Sequence, residues 1–260
     1  MLSRCLGLVL TAGLLVAAVG AQARPAAATP ETQSLQAIDK LVADPNTQPA
    51  ALDAAVDQFR QQYPHSPNTL HVLVLTVRFH RERQEFLPEL RYGEAALAIA
   101  PGNLYTLSSL GQAIAQNVSS SDLDFDQLLQ QAEGYDRDVL AATQKFHITA
   151  QGMAFAGAHY TPAQARLLDD FLSAPAYISL AQIARLRGDY SGAVAAYRRA
   201  LPHLTHANVQ AQTYYEIGTA EASAHQDAAA KADLDKAGAL APDSQLMQRM
   251  VKDAETKLGN

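Results

Sequence analysis

The sequence predicts an all-α chain built from repeated helix–turn–helix units, and three observations carry that reading. Apolar residues recur three and four positions apart, which places them on one face of a helix. Gly and Pro do not punctuate the chain at strand spacing, and alanine dominates over Val, Ile and Thr. Pro67 and Pro101 stand 34 residues apart, each closing an apolar helix and each followed closely by Asn, at Asn68 and Asn103.

The N-terminal residues read as an export signal. Arg4 precedes an apolar run from Leu6 to Val19, and Ala21-Gln22-Ala23 supplies an A-x-A cleavage pattern. Residues 1–23 are therefore read as a signal peptide with Arg24 as the mature N-terminus, and the alternative is an uncleaved membrane anchor, for which the run is short. The expected location is exported, periplasmic or extracellular, with no transmembrane span after signal removal. Cys5 is the single cysteine and lies inside the removed segment, so the mature chain is expected to lack thiols, disulfides and cysteine metal ligands. Residues 24–33, RPAAATPETQ, have no apolar periodicity and read as a flexible leader.

The chain carries 20 Lys and Arg against 26 Asp and Glu, a net charge of −6 that becomes one unit more negative once Arg4 is removed. No basic cluster stands out. That excludes nucleic acid as an expected partner, because affinity for a phosphate backbone needs concentrated Lys and Arg.

The first unit spans residues 34–69, with Leu35, Ile38, Leu41 and Val42 on its first helix and Leu52, Ala55, Val56, Phe59 and Tyr63 on its second. The second spans 70–103. Its Val72–Val77 run, VLVLTV, could pass for a strand, but the Pro67-Asn68-Thr69 start and the register through Arg83 favour a helix. The third spans 104–143, with a long inter-helix loop at Asn117 to Asp124. An insertion over 144–173 then breaks the period. It carries one extra helix, opened by Thr161-Pro162 and bearing Leu167, Leu168, Phe171 and Leu172, and Pro175 is expected to kink or break the path after it. Units four and five span 174–243, and Ser244 opens a capping helix over 244–260 with Leu246, Met247, Met250, Val251 and Leu258.

The segment Gly188-Asp189-Tyr190-Ser191-Gly192-Ala193-Val194-Ala195-Ala196-Tyr197-Arg198-Arg199-Ala200-Leu201 is similar to the turn and second helix of a tetratricopeptide (TPR) repeat. Leu110-Gly111 and Ile217-Gly218 match the large-then-small pair of the first helix, and Pro101 and Pro242 match the proline that stops the second. The chain thus resembles an exported bacterial TPR protein over most of its mature length. The resemblance implies a right-handed helical solenoid of about five repeats with a C-terminal capping helix, and a concave groove lined by first helices. It assigns a tight turn to Gly188, gap filling to Tyr190 and close helix approach to Ala193 and Ala200. Tyr197 becomes a plug reaching the next repeat.

The groove face would carry His71, Val74, Leu75, Arg78 and Arg81 from unit two and Tyr105, Ser108, Ser109, Gln112 and Gln116 from unit three. Units four and five would add Ile178, Ser179, Gln182 and Arg185, then Gln212, Tyr215, Glu216 and Thr219. Arg78, Arg81, Tyr105, Gln112, Gln182, Arg185 and Tyr215 are the candidate partner-binding residues, since Arg and Tyr so often dominate interfaces. The Lys and Asn clamp of chaperone-binding TPR proteins is missing at Val74, Arg78, Ser108 and Gln112.

No nucleophile elbow, phosphate loop, Rossmann glycine pattern or His-Glu-x-x-His is present, so the expectation is no enzyme, no cofactor and no metal. His203 and His206 have no Asp or Glu beside them in sequence, and His71 and His80 are nine residues apart. Asp122, Asp124 and Asp126 lack the glycine and distal glutamate of a calcium loop. Asn117-Val118-Ser119 fits a glycosylation sequon. Phe59 to Pro67 is similar to a helix end in TPR proteins of outer-membrane barrel assembly and envelope division. The expected function is a protein- or peptide-binding scaffold of the envelope or periplasm; the alternative is an envelope-assembly component acting by self-association or by peptidoglycan or lipid binding.

Overall fold

The computed structural model describes residues 29–148, 154–155, 158–159 and 161–258. The proposed signal and cleavage site, with residues 24–28 of the expected leader, lie outside the described residues.

Helices follow one another in hairpins: α1 (Pro30–Ala43) with α2 (Pro49–Gln62), α3 (Thr69–Glu82) with α4 (Phe86–Ile99), and α5 (Leu104–Asn117) with α6 (Phe125–Ile148). Next come α7 (Pro162–Leu186) with α8 (Tyr190–Ala200), α9 (Ala207–Ser223) with α10 (Asp227–Leu240), and the final α11 (Gln245–Leu258). Each helix packs on the next, and α1, α3, α5 and α7 also touch in series. That pattern is an all-α array of stacked pairs, as a repeat architecture requires. The one departure among the described residues is a short antiparallel ladder of β1 (Ala154–Phe155) with β2 (Ala158–His159) between α6 and α7.

Local chemistry fixes where the helices begin. Thr29 accepts from the Thr32 amide with Pro30 following, so α1 starts inside the stretch read as leader. Asn103 accepts from the Thr106 amide at the head of α5, and Asp189 from Gly192 at the head of α8. Thr161 and Gln164 form a reciprocal capping box on α7. Gly188 has φ +76°, the left-handed conformation that a tight turn after α7 demands.

Two expectations meet their outcome here. Val72–Val77 is helical, within α3, as its flanks require. The supposed extra helix and the first helix of unit four, by contrast, are one continuous element, α7, which runs through Pro175. Proline removes one helix hydrogen bond, but burial of Leu172, Ser173, Ala174 and Ala176 on both sides holds the helix together.

The core is a chain of linked clusters rather than one centre. Ile38, Leu52, Val56, Phe59, Leu73, Val77 and Tyr92 form the first, across α1 to α4. Within it His80 is fully buried, with Nε2 2.9 Å from Asp53 Oδ1 and Nδ1 2.7 Å from Glu85 Oε2, and its ring stacks on Tyr92. This one side chain ties α2, α3 and the head of α4 together. Ala181, Ala193, Tyr197, Ile217 and Ala220 form a later cluster joining α7, α8 and α9. A single hairpin could not bury enough: a buried Leu or Phe contributes roughly 1.5–3 kcal/mol, against about 1–2 kcal/mol to fix each backbone residue.

Candidate functional site

The repeat-defining residues take contrasting places. Ala193, Tyr197 and Ala200 are fully buried. Leu110 is buried too, and a Cβ on Gly93 would stand 2.5 Å from its Cδ2, so α4 and α5 approach over that glycine. A Cβ on Gly218 would meet Leu234 Cγ at 2.8 Å and Ala230 O at 3.0 Å. Gly111 faces Asp136 in the same way. Tyr190 is half-buried at the first position of α8, and Pro101 and Pro242 are exposed in turns after α4 and α10.

Two cavities open along one side of the array. The first, about 400 Å³, is lined by Arg81, Gln84, Phe86, Glu89, Ser109, Gln112, Ala113, Gln116 and Asn117. The second, about 430 Å³, is lined by Ala115, Gln116, Gln182, Arg185, Leu186, Tyr190 and Ser223. Gln116 belongs to both, so the two adjoin there in one trough of mixed polar and apolar lining, drawn from α3, α4, α5, α7, α8 and α9.

Side chains are held in place within the trough. Arg81 Nη2 donates to Gln112 Oε1 at 2.7 Å, and Gln112 Nε2 donates to Ser108 O at 2.9 Å. Arg81 forms no ion pair among the described residues. Glu89 is 4% exposed and accepts from Ser109 Oγ at 2.6 Å. Burial pushes its carboxyl above the usual range, and the Ser109 hydroxyl and Arg81 only partly offset that. Arg185 pairs with Glu216; burial works against its charge, and Glu216 and Tyr197 together outweigh this to raise its pKa. Gln182 Oε1 is buried without a hydrogen bond, and Gln116 is exposed with no partner among the described residues.

Of the seven candidate residues, Arg81, Gln112, Gln182 and Arg185 line the trough, while Arg78, Tyr105 and Tyr215 do not. Arg78 is exposed, 3.9 Å from Glu82. Tyr105 is half-buried against the first core cluster, and Tyr215 packs on the cluster of α9 to α11. Ser108, Ser109 and Ser179, expected on the exposed face, are buried. The trough follows the last turns of the first helices and the turns beyond them, and so recruits Gln84, Phe86 and Glu89, which sequence reasoning missed. The positive φ of 60° at Gln84 belongs to the turn that folds α4 back over α3. A Gln-Glu-Phe turn carries no sequence mark of a cavity.

The other motifs resolve locally. Asp122 Oδ2 accepts from the Ser119 amide at 2.7 Å, closing a turn before α6. Asn117 donates to Ala113 O at 2.8 Å beside the first cavity. His203, which has no acid beside it in sequence, faces two: Asp169 and Asp170 of α7 approach it from 33 or 34 positions away. The expectation that this histidine stood without carboxylates is thus corrected by the folding of α7 against the turn after α8. Among the described residues no helix is long and apolar enough to cross a membrane.

No protein-family model matches the chain, and no curated protein matches it significantly. Among solved structures, the chain is similar to a thermophilic TPR protein from Thermus thermophilus, at 17% sequence identity and a TM-score of 0.48 over 86% of this chain and 98% of that one.

Proposed function

We propose that the protein is an exported, non-catalytic binding scaffold that holds an extended segment of a partner polypeptide in the trough between Arg81 and Arg185. The observation that carries this is the trough itself: Gln116 bridges two cavities walled by amides and guanidinium groups. An extended peptide presents alternating N–H and C=O groups, and a side-chain amide supplies both partners. Gln116, exposed and without a partner among the described residues, has that capacity unused. Arg81, held by Gln112 and free of an ion pair among the described residues, suits an acidic side chain of the bound segment. The signal-like N-terminus supports a place in the periplasm or outside the cell, where the partner would be an envelope protein.

A photo-crosslinking residue placed at Gln116 in the intact protein tests this, with a second at Lys231, an exposed position on α10. Crosslinked peptides from one defined partner segment are expected at Gln116 alone. Titration of that segment should then show affinity lowered about tenfold by Arg81→Ala, the loss expected of one charge-assisted hydrogen bond. Crosslinks at Lys231 but not at Gln116, or undiminished affinity in Arg81→Ala, would overturn the assignment.

A further inference from the structure

The turn after α8 brings a histidine onto a pair of carboxylates in α7. The 3-10 turn Leu201–His203 directs His203 back toward the N-terminal half of α7. His203 Nδ1 lies 2.9 Å from Asp170 Oδ1 and 4.0 Å from Asp169 Oδ2. One ligand atom from each of the three residues falls within 4.8 Å of the others. We propose that Asp169, Asp170 and His203 form a binding site for a divalent transition-metal cation of the zinc or manganese class.

The spacing suits the chemistry. Zinc bonds of roughly 2.0–2.2 Å place two ligand atoms at most about 4.4 Å apart, so small side-chain rotations close the site. An imidazole with two carboxylates selects borderline cations over soft ones. Three protein ligands leave coordination positions for water, and Asp170 and His203 are partly exposed.

Residues behind the ligands hold them in place. Asp169 is 3% exposed; Ser173 Oγ donates to its Oδ1 at 2.6 Å, and its Oδ2 lies 4.0 Å from His203 Nδ1. Ser173 Oγ lies in turn 3.0 Å from Thr143 Oγ1 of α6. The His203 ring stacks on Tyr177, with centroids 6.0 Å apart. Such outer partners are what a metal site uses to fix ligand orientation. A simple ion pair would need one carboxylate; here a second, buried one faces the same ring, and two carboxylates against one imidazole leave the cluster net negative. A bound cation would pin α7 to the α8–α9 turn.

The full-length protein, stripped with chelator and dialysed, is titrated calorimetrically with zinc, manganese, calcium and magnesium chlorides and melted with and without each. One zinc or manganese ion per chain should bind saturably and raise the melting temperature. His203→Ala and Asp170→Asn should each weaken binding at least about tenfold, and His206→Ala should not. Asp170 is partly exposed, so its Asn variant keeps a native circular-dichroism spectrum and tests the site apart from folding. No saturable zinc or manganese binding, binding of calcium alone, or binding unchanged in Asp170→Asn would each overturn the proposal. None of these outcomes depends on the peptide trough.

Discussion

The carboxyl group of Asp136 in α6 rests on the backbone of Gly111 in α5, where an added Cβ would lie 2.4 Å from Asp136 Oδ1. The small residue of the Leu110-Gly111 pair therefore makes room for a buried acid, not for another helix backbone. Gly111→Ala gains ordinary helix propensity of about 1 kcal/mol but must displace a side chain with no space to move into, at about 1–3 kcal/mol. Denaturant unfolding should show a net loss of about 1 kcal/mol. In an Asp136→Ala background the same substitution should become neutral or favourable.

Both oxygens of Asp136 are buried, and the nearby Ser179 hydroxyl makes no well-aligned hydrogen bond to them; burial raises the carboxyl pKa well above the usual value, and Ser179 only partly offsets this. Between the unfolded value of about 3.9 and the raised folded value, the folded chain binds more protons than the unfolded chain. This group's contribution to stability therefore falls as pH rises through that window, and carries no penalty below it. Asp136→Asn removes the titration. The variant's stability relative to the parent should improve as pH rises above about 4, and a difference that stays flat from there to neutrality would contradict the assignment.

Arg198 of α8 donates to Glu221 Oε1 at 2.8 Å and to Asp233 Oδ2 at 2.7 Å, joining α8 to α9 and α10 through carboxylates only 3% and 2% exposed. Arg198→Ala leaves two buried acids facing each other, with Lys236 still on Asp233 at 2.7 Å. The expected cost is about 3 kcal/mol, measured by denaturation. Adding Glu221→Gln should recover part of it, because the two residues are directly coupled.

Tyr105 and Arg81 separate core from site. Tyr105 packs on the first core cluster and Arg81 lines the trough. Tyr105→Ala should cost about 2 kcal/mol as a half-buried aromatic. Arg81→Ala should cost less, about 1 kcal/mol, for the lost hydrogen bond to Gln112. Thermal melts check both, and a Tyr105→Ala variant as stable as the parent would return that residue to the exposed face.

Helix pairing was legible because periodicity and punctuation report it directly. Ile38, Val56, Leu73 and Leu110 all fall on buried faces as their spacing requires. Continuity through Pro175 was not, since proline's local cost is visible in sequence while the tertiary burial that overrides it is not. The trough was half legible. Arg81, Gln112, Gln182 and Arg185 follow from first-helix spacing, but Glu89 enters from a second helix because α4 turns back sharply after Gln84. Serine misled the reading for a similar reason: Ser109, expected on the groove face, is buried against the Glu89 carboxylate. The meeting of His203 with Asp169 and Asp170 depends on how α7 lies against a turn more than thirty residues later, which no local pattern encodes.

Helices α6 and α7 run 24 and 25 residues, where α1 to α5 each run 14. About ten further residues add about 15 Å of helix, and in that added length the last helix of one unit and the first of the next clasp each other through Leu140, Leu172 and the Thr143–Ser173 contact. The array thus carries in its middle a clasp between units that its shorter helices do not make. Under denaturant such a chain is expected to fray first at α1 and α11, which have neighbours on one side only. The central clasp would survive as a folded remnant after both ends had unravelled.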